Sequence, residues 1–115
     1  MEPDCNCPIA TSLQVFGDRW SLIVLRDVLF LGKRHFHEFS DSPERISSNV
    51  LSDRLKNLEA EELLVSEVDA SNKRRKIYTP TQKAKDLAPI LQALADWGMK
   101  YATAEEQITK PSDST

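Results

Sequence analysis

Cysteine is scarce in this chain, and long apolar runs are absent. The two cysteines, Cys5 and Cys7, are separated by one residue, a spacing that excludes a disulfide framework. No stretch approaches the ~18 to 20 consecutive apolar residues that a membrane span requires, and the first residues lack the basic start and apolar run of a secretion signal. We therefore expect a cytoplasmic protein with reduced thiols and no membrane association.

A strong excess of one charge sign is also missing. The formal net charge is −3 at pH 7, which argues mildly against a protein that coats nucleic acid. The two signs are segregated, however: six basic residues and no acid lie from Lys73 to Lys85, whereas five acids and no base lie from Glu59 to Asp69. A local basic patch on an acidic chain suits a docking surface for phosphate.

Length and apolar content predict one domain with a single core. The chain has 115 residues, 40% of them hydrophobic, which leaves too little sequence for a second domain of comparable size. We expect an N-terminal arm over residues 1–7, the folded domain over residues 8–104 and a flexible tail over residues 105–115.

Apolar periodicity and capping residues predict a mainly α fold with one small β-hairpin (α+β). The predicted helices are Pro8–Phe16, Arg19–Leu31 after an Asp18 cap, a short segment with Phe36 and Phe39, a segment from a Ser47 or Ser48 cap to about Glu61 or Glu62, and Thr81–Thr103. The predicted strands are Leu63–Asp69 and Arg75–Thr79. This order is that of a winged helix-turn-helix, in which the second helix of the motif enters the major groove of DNA and the hairpin, or wing, flanks it.

The segment from Ser47 to Glu59 is the candidate recognition helix. Its leucines cluster on one side, and small polar and charged residues fall on the other. Asn49 and Ser52 can exchange hydrogen bonds with base edges, and Lys56 can reach guanine or a phosphate. Any surface helix can show such a face, so the basic limb of the hairpin carries much of the argument, since it lies where a wing would cross phosphates. The candidate DNA-binding residues are Ser48, Asn49, Ser52, Asp53, Arg54, Lys56, Lys73, Arg74, Arg75 and Lys76.

Two charged residues of this helix fit contact with DNA less directly. Arg54 lies at the edge of the apolar side, where a backbone phosphate or an acid is its expected partner. The carboxylate of Asp53 would be repelled by DNA unless it accepts a hydrogen bond from cytosine or holds Lys56 or Asn49 in place. We favour the orienting role for Asp53.

Short motifs are spread from Cys7 to about Tyr101. They are Cys7-Pro8, Leu13, Gly17-Asp-Arg-Trp20, Leu25-Arg-Asp27, Lys33-Arg34, Phe36-His-Glu-Phe39, Ile46-Ser47, Val50-Leu51, Arg54-Leu-Lys-Asn-Leu-Glu59, Tyr78, Thr81 and Asp96-Trp-Gly98. Together they resemble the HxlR family of bacterial winged-helix transcriptional regulators. One departure lies at residues 80–84, Pro-Thr-Gln-Lys-Ala, where the family usually has Leu-Thr-x-x-Gly.

The resemblance implies a cytoplasmic homodimer that binds a near-palindromic operator in double-stranded DNA and represses or activates transcription. It also implies dimer contacts from the first and last helices. The apolar residues there exceed what one domain of this size easily covers, although they could instead roof the monomer core. These candidate interface residues are Ile9, Leu13, Phe16, Ile90, Leu94, Trp97 and Tyr101.

Cys7 directly precedes the first predicted helix, whose dipole and free N–H groups favour the reactive thiolate. Some members of the family resemble redox or electrophile sensors that act through this position. An oxidant or small-molecule inducer is therefore one hypothesis, with Cys5 as a resolving partner or without a role. The alternative is an unreactive thiol at the dimer seam, and the acidic residues Glu2 and Asp4 oppose thiolate formation.

Other classes of function fit less well. A metal site would have to join the two cysteines to His35 and His37, which are expected to face solvent or a phosphate instead. A thiol enzyme needs a base and a substrate pocket near its cysteine, and the sequence offers neither. We therefore expect no enzymatic activity and no cofactor. A winged-helix module that binds another protein through the same helix and wing stays open as the alternative function.

Overall fold

Helices dominate the part of the chain that the computed structural model describes, residues 7–102. The chain divides between Lys85 and Asp86 into two compact units. Cys5, the rest of the predicted arm and the predicted tail lie outside the described residues. None of the described helices has both the length and the apolar character needed to cross a bilayer. The elements are α1 (Pro8–Phe16), α2 (Arg19–Phe30), α3 (Phe36–Ser40), α4 (Ser48–Ala60), β1 (Leu64–Asp69), β2 (Asn72–Pro80), α5 (Gln82–Lys85), α6 (Ala88–Trp97) and a π-helical turn (Gly98–Ala102).

A tight turn at Gly17 and Asp18 separates the first two helices, both of which were predicted. A side chain at Gly17 would collide with the carbonyl oxygen of Leu13, so this position requires glycine. Asp18 caps α2 as predicted, because its carboxylate accepts hydrogen bonds from the backbone N–H groups of Trp20 at 2.9 Å and Ser21 at 3.2 Å. The turn therefore fixes the residue at which α2 begins.

The apolar core of the first unit is built around α4. Helices α2 and α3 and strand β1 all contact α4. Each large apolar side chain that is fully buried stabilises the fold by about 1.5–3 kcal/mol. The largest of them are Phe39, Leu25, Leu51, Leu55, Leu58, Leu63, Leu64, Val24 and Val28. The leucines assigned to the apolar side of the recognition helix are thus confirmed as core residues.

A buried carboxylate interrupts the apolar surface of α2. Asp27 is 1% exposed and accepts hydrogen bonds from Ser42 Oγ at 2.9 Å and from Arg26 Nη2 at 2.6 Å. Lys33 Nζ lies 3.4 Å from the same carboxylate, and Arg26 Nη1 also binds Glu44 at 2.7 Å. Because a buried charge is tolerated only when it is paired, this cluster ties α2 to the chain between α3 and α4.

Strands β1 and β2 form the antiparallel hairpin that the sequence predicted. The register pairs Val68 with Lys76 and Asp69 with Asn72. Residues 73–75 therefore have no partner on β1 and bulge out of the ladder. The second strand is longer than predicted, because it continues through this bulge to the turn of the hairpin.

The prediction of one continuous helix from Thr81 to Thr103 is wrong. Helix α5 ends at Lys85, α6 begins at Ala88, and a turn lies between them. Pro89 explains the interruption, because proline has no N–H to donate to Lys85 and its ring would clash with that carbonyl group. The helix restarts with Pro89 in its first turn, where a missing N–H is tolerated. Thr103 lies outside the described residues.

Candidate nucleic-acid interface

The polar side of α4 is open to solvent. Ser47 caps the helix, since its Oγ accepts a hydrogen bond from the backbone N–H of Val50 at 3.2 Å. Because the leucines of α4 turn inward, the residues between them point outward. We call five of the exposed residues the α4 face, and they are Ser48, Asn49, Ser52, Asp53 and Lys56.

Arg54 is half-buried and is held by two carboxylates. Its Nε lies 3.0 Å from Oδ1 of Asp18, and its Nη1 binds Asp53. Burial acts to raise the pKa of Asp18, but hydrogen bonds from Ser21 and Arg54 outweigh it and hold that pKa below its usual value. Of the two partners expected for Arg54, a phosphate or an acid, the chain itself supplies the acid.

Asp53 orients a neighbour, but a different one from those the sequence suggested. Its carboxylate accepts hydrogen bonds from Arg54 and from Nδ2 of Asn57, the latter at 3.4 Å. No bond joins it to Lys56 or Asn49 within the described residues. The reason is that Arg54, anchored by Asp18, presents a guanidinium to which the carboxylate turns. Pairing with Arg54 also offsets part of the negative charge on the α4 face.

The bulge of the hairpin and the residue that follows it carry an exposed basic cluster. We call Lys73, Arg74, Arg75 and Lys76 the wing bases, and all four are exposed. The turn before them is held by Asp69, which accepts hydrogen bonds from the backbone N–H of Ser71 at 2.9 Å and from its Oγ at 2.8 Å. These hydrogen bonds lower the pKa of Asp69. The wing bases therefore project from a turn that is locally fixed.

A groove of about 460 Å³ lies between α3, α4 and β2, and we call it the α4–wing groove. It brings five predicted DNA-binding residues together on one surface: Ser52, Lys56, Arg74, Arg75 and Lys76. Four lining residues were not predicted as site residues: Phe36, His37, Glu59 and Tyr78. The groove joins the candidate recognition helix to the wing, as a shared DNA-binding surface requires.

One of these four residues, Glu59, could have been predicted from its spacing in the sequence. Ser52, Lys56 and Glu59 follow each other at spacings of four and three, so they share one side of α4. Glu59 accepts a hydrogen bond from Ser66 Oγ at 2.6 Å, which ties α4 to β1. The other three residues come from α3 and β2, and no local pattern places them beside α4.

The sequence predicted that His35 faces solvent or a phosphate. The structure places it elsewhere. It is half-buried between two carboxylates, with Nδ1 3.4 Å from Glu38 Oε1 and Nε2 3.4 Å from Asp69 Oδ2. The cause is its place at the cap of α3, beside the base of the wing turn. Within residues 7–102, no group of three or more His, Cys, Asp or Glu residues could hold a metal ion.

Apolar side chains are exposed on α1 and along the second unit. On α1, Ile9 is 72% and Leu13 is 53% exposed, and Phe16 is half-buried. In the second unit, four apolar residues are between 47% and 62% exposed: Ile90, Leu94, Trp97 and Tyr101. Each unit therefore leaves apolar side chains in water, where they are available to a partner.

Cys7 is a free, exposed thiol at the N-cap of α1. Its carbonyl oxygen accepts hydrogen bonds from the backbone N–H of Thr11 at 3.0 Å and from Thr11 Oγ1 at 3.1 Å. The side chain of Cys7 makes no capping hydrogen bond, so its sulfur is open to reagents in solution. The proposed resolving residue, Cys5, lies outside the described residues.

Comparison with known proteins places this fold among transcriptional regulators. Residues 15–106 match the family described as HxlR-like helix-turn-helix. The HTH-type transcriptional regulator YdeP of Bacillus subtilis (strain 168), itself uncharacterised, is 30% identical over 96 residues, which make up 84% of this chain and 74% of YdeP.

Solved structures share the fold, and PA1607 and HypR are two of them. The crystal structure of PA1607 superposes with a TM-score of 0.79 and 36% identity, covering 87% of this chain and 68% of PA1607. The redox regulator HypR in its oxidised form superposes with a TM-score of 0.73 and 28% identity, covering 84% of this chain and 99% of HypR. The mainly helical winged-helix fold predicted from the sequence is confirmed.

Proposed function

The chain belongs to the HxlR-like helix-turn-helix family of transcriptional regulators, and on that premise we propose that it binds a near-palindromic operator as a homodimer. The observation that carries the proposal is the α4–wing groove, in which polar residues of α4 and wing bases line one surface. Members of this family regulate transcription and are not enzymes. Binding over or beside a promoter would repress or activate the adjacent gene.

Base recognition is assigned to the α4 face. Asn49 and Ser52 are exposed and carry both donors and acceptors, and a bidentate amide–adenine pair discriminates by about 1–3 kcal/mol. Lys56 reaches guanine or a phosphate from the same side. Ser48, at the start of the helix, meets the DNA backbone. Arg54 binds Asp53 on its own helix and Asp18 at the cap of α2, so it holds α4 in place, and it has further donors for a phosphate.

Phosphate binding is assigned to the wing bases. Each phosphate that they neutralise releases condensed counterions, so the binding constant falls steeply with salt. Contacts of this kind set affinity and register but carry no sequence information. The wing therefore supplies mostly non-specific affinity, while α4 supplies specificity.

Dimerisation is assigned to the apolar residues of α1 and the second unit. Their exposure in the monomer supports this assignment, since isolated domains seldom leave so many large apolar side chains in water. A two-fold dimer presents two recognition helices, which must lie about 34 Å apart to enter successive major grooves. The operator is expected to be an inverted repeat for the same reason.

A redox response is assigned to Cys7. The thiol is exposed at a helix N-cap, and the structurally similar HypR is a redox regulator. Peroxide converts a thiolate to a sulfenic acid and is itself reduced to water, and an electrophile such as a quinone alkylates the same sulfur. Either change at Cys7, at the N-cap of α1 and so beside the proposed interface, would alter the dimer and hence its affinity for DNA.

The test of DNA binding uses the intergenic DNA beside the gene. A labelled duplex that contains the inverted repeat is compared with a scrambled duplex, by fluorescence anisotropy, at salt concentrations from about 50 to about 200 mM. We expect tighter binding to the repeat and a steep loss of affinity with salt for both duplexes. Absence of binding to either duplex at low salt would instead support a protein-binding winged-helix module.

The test of the redox response compares the wild type with the Cys7→Ser variant. Both are treated with peroxide or a quinone before the anisotropy titration. We expect the treatment to change the DNA affinity of the wild type alone. An equal change in both proteins would remove Cys7 from the mechanism without affecting the DNA-binding proposal.

A further inference from the structure

The α4–wing groove is large enough to hold a small molecule as well as to meet phosphates. Its volume of about 460 Å³ falls within the range of pockets that bind small molecules. Its lining includes two aromatic rings, those of Phe36 and Tyr78, in addition to charged residues. The phosphates of a DNA backbone do not pack against aromatic rings, whereas a small aromatic ligand does.

The charges around the groove select for an anion. Four cations line it, Lys56, Arg74, Arg75 and Lys76, against one carboxylate. Within the described residues none of these four cations forms a salt bridge, so all four remain available to a ligand. Burial, and then the nearby Glu59 carboxylate, raise the pKa of Tyr78, so its phenol adds no negative charge.

Glu59 adds a second requirement. Its carboxylate would repel an anionic group placed beside it, but it accepts a hydrogen bond from a hydroxyl donor, as it does from Ser66 Oγ at 2.6 Å. A ligand that fits all three features has a flat ring for the aromatic walls, a carboxylate for the cations and a hydroxyl for Glu59.

We propose that the α4–wing groove binds a small hydroxylated aromatic carboxylate, and that this ligand competes with DNA. The proposal rests on the proposed function, because competition follows from the use of Ser52, Lys56 and three wing bases by both ligands. A carboxylate bound there neutralises cations that would otherwise meet phosphates, and the ring blocks the space between α4 and the wing. The aromatic acid is thus an inducer that acts at the reading surface itself, independently of Cys7.

The first experiment uses 4-hydroxybenzoate as the probe on the full chain. Binding is followed by amide chemical shifts in NMR spectra, with phenol as the probe that lacks the carboxylate and inorganic phosphate as the anion that lacks the ring. We expect millimolar or tighter binding of 4-hydroxybenzoate, with shifts confined to α3, α4 and β2, and at least about fivefold weaker binding of both controls. No shifts at about 10 mM probe, or shifts elsewhere in the chain, would overturn the proposal.

Two variants of Phe36 and one control variant locate the site. Phe36→Ala and Phe36→Leu remove the ring of a lining residue that is 37% exposed, whereas Phe30→Ala removes a ring of 44% exposure that does not line the groove. We expect both Phe36 variants to weaken 4-hydroxybenzoate binding about fivefold or more and Phe30→Ala to leave it unchanged. Thermal unfolding of each variant reports its folding separately, and equal affinities in all variants would place the ligand elsewhere.

The second experiment separates this inference from the proposed function. 4-Hydroxybenzoate is titrated into the protein–DNA complex, and each variant is compared with its own affinity for DNA without ligand. Release of DNA by the probe in the wild type, with a higher concentration needed in Phe36→Ala, supports competition. DNA binding that the probe does not affect overturns the inference alone. Probe binding in the groove of a protein that binds no DNA overturns competition and the proposed function together.

Discussion

Nε of Arg54 lies 3.0 Å from Oδ1 of Asp18, and this contact joins the middle of α4 to the cap of α2. The same Asp18 oxygen accepts the backbone N–H of Trp20 at 2.9 Å. One carboxylate therefore fixes where α2 begins and also holds α4 against it. Because α4 carries the proposed base-reading residues, the contact sets how the reading surface is oriented on the core.

Substitution of Asp18 separates its two roles. Asp18→Ala removes the cap and the ion pair, and we expect the free energy of unfolding to fall by about 1–2 kcal/mol. Asp18→Asn keeps a capping oxygen and removes only the charge that faces Arg54, so the loss should stay below about 1 kcal/mol for this exposed pair. Urea denaturation followed by circular dichroism measures both. Equal losses in the two variants would mean that the cap contributes nothing.

The same residue predicts a dependence of stability on pH. The pKa of Asp18 is lowered in the folded protein, so its contribution is fully present above the unfolded value of about 3.9 and is lost as the pH falls through the folded pKa. The difference in unfolding free energy between wild type and Asp18→Asn should therefore be constant near neutral pH and shrink below about pH 3.9. Denaturation curves of both proteins near neutral pH and in acid measure how this difference changes with pH. A difference that grows in acid would contradict it.

Local signals in the sequence predicted the helices well. The features that could not be predicted depend on contacts between residues far apart in the sequence. Asp18 and Ser47 act within three residues of themselves, so their capping roles could be predicted from position alone. The pair of Asp27 with Ser42 and the pair of His35 with Asp69 depend on how separate elements pack, and no periodicity reveals them. The broken C-terminal helix is a different case, because the local signal of proline was present and the strong apolar period concealed it.

The wing bases provide the next prediction. Replacing Lys73, Arg74 and Arg75 together with alanine should weaken binding to operator and scrambled duplexes by similar factors. The slope of log K against log salt should flatten by about 0.9 for each lost phosphate contact, up to roughly 3 in total per subunit. Anisotropy titrations at several salt concentrations measure both effects.

A charge-matched control distinguishes the wing from net charge. Alanine at Lys83, Lys85 and Lys100 removes the same number of cations from positions outside the α4–wing groove. We expect this variant to retain most of its DNA affinity and its salt slope. If it loses as much as the wing variant, the wing is not the phosphate-binding element.

Asn49 is expected to affect specificity more than affinity. Asn49→Ala should reduce the ratio of operator to scrambled affinity by roughly fivefold or more, because one bidentate base contact is worth about 1–3 kcal/mol. The salt slope should stay unchanged, since no phosphate contact is lost. Asn57→Ala is the matched control, because Asn57 is exposed on the same helix but lies outside the α4 face, where its Nδ2 donates to Asp53. Equal loss of specificity in both variants would reject Asn49 as a base-reading residue.

A substitution on the exposed apolar side of α6 tests the proposed dimer. Ile90, Leu94 and Trp97 fall on one side of this helix, and Leu94 is 52% exposed, so Leu94→Glu should leave the monomer folded. Burying a leucine on each subunit stabilises a dimer by about 1.5–3 kcal/mol per side chain, so the dimer should dissociate at concentrations more than tenfold higher than in the wild type. Gln92→Glu adds the same charge on the opposite side of α6 and should not change the assembly. Sedimentation velocity measures the equilibrium between monomer and dimer.

Leu94→Glu should also bind a full operator more weakly than the wild type does, while its affinity for a half-site changes little. If Leu94→Glu remained dimeric, the interface would have to lie on another surface, and the distance between the two recognition helices would have to be derived again from that surface.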